Sequence, residues 1–174
     1  MTLIRPSTAV VVLSLFILGG CGNETQTTQT QETTTMTDQN NHQADEEAIH
    51  AVLARYEQAL NDSDTDAVMS LYTDDGVFMP QHFPSSVGSS AVRAAYDGVF
   101  ATIKLSVEFD IAEVRQVSPQ WAFARTNSAG TVTVLADGSG GPEANQELFV
   151  FEKAASGDWK ISRYCFSTTN PPRG

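Results

Sequence analysis

A switch in hydrophobic period near Lys104 constrains this chain more than any other feature. Upstream, apolar residues recur every three or four positions. Ile49, Val52, Leu53, Tyr56 and Leu60 form one helical face, Val68, Leu71 and Tyr72 a second, and Val92, Ala95, Tyr96, Val99 and Phe100 a third. Downstream the period is two. Leu105–Val117, Trp121–Leu135, Glu147–Lys153 and Trp159–Thr168 read as strands, divided by turns at 118–120 and 156–158 and a Gly-rich loop at 137–142. Asn61 to Asp64 ends the first helix and caps the second, and Ser89 or Ser90 caps the third. Gly76–Met79 is a short strand stopped by Pro80. Three helices followed by a meander predict an α+β fold, with the helices packed on one side of a curved, mostly antiparallel sheet.

The N-terminus has a different character. Arg5 precedes the apolar run Ala9–Leu18, which is too short for a bilayer span of about 20 residues. A basic start, a short apolar core and small residues before a cut site describe a secretory signal peptide over 1–20. Leu18-Gly19-Gly20-Cys21 resembles the bacterial lipobox, which implies a lipidated Cys21. Residues 21–43 are rich in Thr, Gln and Asn and read as a disordered tether. The domain then occupies 44–174, with Asp45 as a helix N-cap. The expected setting is the bacterial cell envelope, on the exported side of the membrane and held by the lipid alone. With Cys21 lipidated, Cys165 has no disulfide partner.

A net charge of −11 without Lys/Arg clusters argues against nucleic acid and against adhesion to anionic lipid. No GxGxxG follows a strand, and neither CxxC nor a P-loop occurs, so no cofactor is implied. Two cysteines cannot build a thiolate zinc site, and Asp74 with Asp75 suits capping and turn chemistry, so no metal is implied either.

The order of segments Asn61–Pro80, Val87–Tyr96 and Trp159–Ile161 resembles the nuclear transport factor 2-like superfamily, which includes the SnoaL-like proteins and ketosteroid isomerase. The tracts Ala124–Val134, Glu147–Lys153 and Trp159–Ser167 resemble its SgcJ/EcaC-type subgroup, often labelled oxidoreductases. The resemblance implies a cone-shaped fold with a built-in pocket, a small-molecule ligand and a homodimer paired through the outer sheet face. In the isomerases a Tyr on the first helix and a protonated late acid donate to a developing oxyanion, while another Asp shuttles the proton. Tyr56 matches the Tyr and Glu147 the late acid. The shuttle position falls on Met79 or Pro80, neither of which can accept a proton, so the resemblance implies the pocket and not the isomerase reaction.

Alternation along the strands gives the remaining candidates. Glu147 and Phe149 share a face, as do Phe123, Arg125 and Asn127, and Arg163 and Cys165. Placed toward the helices, they would make a mainly apolar cavity with a few polar groups, the usual character of a small-molecule site. Glu147 is either a general acid or base with a pKa raised by burial, or the ion-pair partner of Arg125 or Arg163. Tyr56 is an oxyanion donor or a core aromatic. His82, in the loop after Met79, replaces the missing base or is an exposed loop residue. Tyr72, Met79 and Tyr96 complete the expected lining.

Overall fold

The computed structural model describes residues 24–171, with side chains from residue 40 onward. The expected signal peptide and Cys21 lie outside the described residues. The chain divides into two units, 1–37 and 38–174. In the first, the described backbone is helical. Among the described residues no helix is long and apolar enough to cross a membrane.

Among the described residues three helices, α1 (Glu24–Asp62), α2 (Thr65–Leu71) and α3 (Ser89–Thr102), accompany six strands. These are β1 (Tyr72–Met79), β2 (Ser86–Val87), β3 (Ile103–Ser118), β4 (Trp121–Val134), β5 (Gly140–Lys153) and β6 (Trp159–Thr168). They form one sheet in the order β2-β1-β6-β5-β4-β3, antiparallel except where β1 runs parallel to β6. The helices cover one face of this curved sheet, as the switch in period predicts.

α1 begins at Glu24, well before the expected N-cap Asp45 and inside the stretch whose composition suggests a tether. Once a packed segment has met the nucleation cost, each residue added to a helix gains a hydrogen bond. The packed segment starts at Ile49, and Ile49, Val52, Leu53, Tyr56, Ala59 and Leu60 are all buried. Asp45 is a clamp, not a cap. Its Oδ1 accepts from Lys153 Nζ at 2.5 Å and Trp159 Nε1 at 3.0 Å, and its Oδ2 from Gln116 Nε2 at 2.9 Å. At the other end Asn61 imitates a strand, donating to Val107 O and accepting from Val107 N, both at 2.8 Å. Glu57 accepts from Phe109 N at 2.7 Å. The free edge of β3 is thereby satisfied by α1 and not left open. Held at Asp45 and again at Glu57 and Asn61, α1 lays Tyr56 across the sheet.

Asp64 caps α2 by accepting from Ala67 N at 2.9 Å, as its position suggests. α3 departs from expectation: Gly88 is its N-cap and provides no side-chain bond, while Ser89 Oγ donates to Asp74 O. β5 starts at Gly140, so half of the expected Gly-rich loop is strand. A Cβ on Gly140 would lie 2.4 Å from Val132 O, and one on Gly130 would lie 2.0 Å from Ser106 O. Only glycine permits those approaches.

Candidate functional site

Between α1, α3 and the inner sheet face lies a cavity of about 650 Å³. Its walls are largely apolar and aromatic, with Leu60, Phe78, Leu105, Val107, Phe109 and Phe166 prominent. Each element places its contribution by its own period. Helical spacing puts Tyr56 and Tyr96 on the buried faces of α1 and α3, and two-residue alternation puts Glu147 on the inner face of β5.

Two polar clusters meet this space. In the first, the Tyr96 hydroxyl is a hub, 2.5 Å from the Tyr56 hydroxyl and 3.0 Å from that of Tyr72. Burial pushes all three phenols well above their ordinary pKa, so they remain protonated at physiological pH. The second cluster surrounds Glu147. Ser128 Oγ donates to its Oε1 at 3.0 Å and Tyr164 Oη donates to the same oxygen at 3.2 Å. Thr126 Oγ1 donates to Oε2. Burial raises the Glu147 carboxyl above its ordinary value, the charge of Glu143 adds to that rise, and the three hydroxyls work against it. These neutral hydroxyls are its partners, and no salt bridge to it occurs among the described residues.

The expected ion pairs with Arg125 and Arg163 are therefore replaced by others on the opposite face. Arg125 Nε meets Glu113 Oε1 at 2.6 Å and Arg163 meets Asp75 at 3.4 Å. On β4 the inner residues are Ala122, Ala124, Thr126 and Ser128, and Phe123, Arg125 and Asn127 face outward. Large apolar residues suggested the reverse, but the crowded aromatics behind α1 leave room only for small side chains there. On β6 the alternation breaks at a bulge: Val150 pairs with Arg163 and Phe151 with Ile161, leaving Ser162 unpaired. The extra residue transfers Tyr164 and Phe166 to the cavity side and sends Arg163 and Cys165 outward.

Met79 is likewise displaced. It pairs with Cys165 across the β1–β6 ladder, while Phe78 pairs with Tyr164 on the cavity side. Phe149 is fully buried behind the lining, its ring stacked 4.3 Å from that of Tyr164. Tyr72 does not line the cavity, and its hydroxyl is linked to the site only through that of Tyr96. His82 is exposed in a left-handed conformation (φ 67°), its Nε2 against Gln81, and takes no place in the cavity wall. Thus Tyr56, Tyr96 and Glu147 come together, while Phe123, Arg125, Asn127, Arg163, Cys165, Met79 and His82 do not join them. Sequence reasoning missed Thr126, Ser128, Asn145 and Tyr164. The available signal was the alternation of small residues from Ala122 to Ser128.

The SnoaL-like domain family matches residues 52–164. A ketosteroid isomerase-like protein of Erwinia carotovora atroseptica SCRI1043 is 40% identical, with 72% of this chain and 97% of that one covered and a TM-score of 0.70. A conserved protein of Planctomyces limnophilus DSM 3776 is 26% identical over 72% of this chain and 98% of its own, with a TM-score of 0.64. The hexachlorocyclohexane dehydrochlorinase LinA-type3 of Novosphingobium barchaimii LL02 shares the fold at 12% identity, covering 76% and 91% of the two chains with a TM-score of 0.67. No curated protein matches the chain.

Proposed function

The chain belongs to the SnoaL-like domain family, and on that premise we propose that its domain binds a small, largely apolar molecule in the cavity beneath α1. One observation carries the reading: a space of about 650 Å³ with aromatic walls and a few convergent polar groups. Small-molecule sites combine that size with that character. The polar groups would fix the orientation of the ligand, and the apolar walls would supply most of its affinity.

The neutral dye Nile red tests this reading. Its fluorescence should rise on titration into the wild-type protein, and Ala95→Trp should abolish the rise by filling the cavity from α3. Equal uptake by a folded Ala95→Trp variant would place the dye elsewhere and refute the assignment.

A second reading is an enzyme for isomerisation, cyclisation or hydrolysis of a carbonyl compound, and a specific observation favours it. Glu147 is a buried acid with a raised pKa, set among protonated phenols and hydroxyls. Such a group can donate a proton to a substrate oxygen. Although the Erwinia relative is described as ketosteroid isomerase-like, steroid isomerisation does not carry over: the cavity is lined at the end of β1 by Phe78 and just beyond it by Pro80, neither a base. Loss of any discovered turnover in Glu147→Gln and Tyr56→Phe would support the enzyme, and full retention would exclude these residues from it.

The proposal extends to the setting. The protein is an exported lipoprotein anchored through Cys21, of the SgcJ/EcaC-type subgroup, and it pairs through the outer sheet face, where Trp121 and Leu148 are exposed. Cys21→Ala should release it from membranes; continued retention would refute the anchor.

A further inference from the structure

The cavity lining is one-sided in charge. Its titratable members are Glu143 and Glu147 on β5 and the phenols Tyr56, Tyr96 and Tyr164 from α1, α3 and β6; among the described residues no Lys, Arg or His lines it. The arginines of the adjoining strands are committed on the other face, Arg125 to Glu113 and Arg163 to Asp75. Glu147 Oε2 has one donor, Thr126, and keeps a lone pair to spare.

Asn145 adds an independent sign. It lines the cavity at 8% exposure. Its Nδ2 donates to Glu143 Oε1 at 2.9 Å, which fixes the orientation of the amide. Its Oδ1 is then a buried acceptor without a partner. Buried polar atoms are nearly always hydrogen-bonded, and an exception calls for a missing donor. Asn145 Oδ1 lacks a donor, and the carboxyls of Glu147 and Glu143 each have a lone pair to spare. Close by, the rings of Phe78, Tyr164 and Phe166 lie near-parallel in the wall, an apolar surface for the body of a ligand. A net charge of −11 would draw cations toward the domain.

We infer that the cavity selects amines: an ammonium group beside Glu147, Glu143 and Asn145 Oδ1, carried on an apolar body that lies against the aromatic walls. This rests on the reading of the cavity as a binding site and adds the charge of its ligand. The ammonium supplies three donors where the lining offers acceptors. A carboxylate ligand would meet two acids and no cation. A ketone would satisfy one donor and leave Asn145 Oδ1 orphaned.

The assignment has a pH signature. Burial holds Glu147 above its ordinary value, so its proton is lost at higher pH than that of an ordinary carboxyl, and an ammonium, which favours the carboxylate, would promote that loss. Facing it are Glu143 on its own strand, Tyr164 on β6, Tyr56 on α1 and Tyr96 on α3; β4 contributes the non-titrating Thr126 and Ser128. Burial keeps the phenols protonated, so the slope is assigned to Glu147. Amine affinity therefore rises with pH while the amine stays charged. A ketone accepting from protonated Glu147 would show the opposite slope.

The test is isothermal titration of the full chain with naphthylethylamine and with the ketone and carboxylate of matched skeleton, in buffers of different ionisation enthalpy. The amine should bind about tenfold more tightly than either analogue, with proton release growing as the pH falls. Glu147→Gln should cost it about tenfold in affinity, and Glu143→Gln should weaken it as well, with thermal melting showing both variants folded. A ketone or carboxylate that binds as well as the amine, or amine affinity untouched in both variants, overturns the amine assignment and leaves the binding site standing. Failure of all three probes to bind overturns both.

Discussion

The tyrosine cluster supports a quantitative prediction, because its three hydroxyls are not equivalent. Tyr96 bonds to both Tyr56 and Tyr72, whereas Tyr72 bonds only to Tyr96. In Tyr72→Phe one hydrogen bond is lost and Tyr96 keeps Tyr56, so the cost should be about 1 kcal/mol. In Tyr96→Phe both bonds go. The Tyr56 and Tyr72 hydroxyls then both lose their partner and are left buried. Each orphan costs about 1–3 kcal/mol, giving about 2–6 kcal/mol in total. The double variant removes one orphan along with its partner. It should therefore cost less than the sum of the singles. Urea unfolding would measure this as shifts in midpoint at constant slope. A Tyr72→Phe variant as costly as Tyr96→Phe, or strict additivity in the double, would refute the hub.

Three further perturbations follow from named contacts. Gly130→Ala would force a Cβ to within 2.0 Å of Ser106 O, so β3 and β4 must part, and chemical unfolding should show a loss of about 1–3 kcal/mol. Glu147 has a raised folded pKa, so its native state holds the proton longer than the unfolded chain; its contribution to stability is complete below the ordinary value of 4.5 and is lost as pH rises through the folded value. Melting temperature against pH should therefore fall over that window relative to Glu147→Gln, and parallel curves would contradict it. Asp45 has the opposite sign. Burial pushes its carboxyl up, but bonds from Lys153, Trp159 and Gln116 outweigh this and hold it below 3.8, so the advantage of wild type over Asp45→Asn should vanish as pH falls through the folded value.

The helices and the fold class were legible because burial there follows size and period together. Every apolar residue assigned to the faces of α1 and α2, from Ile49 to Tyr72, is buried. The site was less legible, for two physical reasons. On β4 the inner face carries Ala122, Ala124, Thr126 and Ser128, small because Tyr56 and Phe149 fill the space before them, while the larger Trp121 and Phe123 lie outside. On β6 one bulge residue, Ser162, inverts the alternation beyond it, and no feature of Trp159–Thr168 announces the bulge. Glu147 was found by resemblance, but its partners were not, since hydroxyl donors from three positions on two other strands become neighbours only through the pairing register.

Native mass spectrometry of the protein released gently from its own cells, beside Ala95→Trp prepared in the same way, tests the binding proposal most directly. A small molecule should accompany the wild-type domain and be absent from the filled variant. Wild-type protein that emerges without a ligand and takes up none of the small molecules extracted from those cells would contradict a binding role for the cavity.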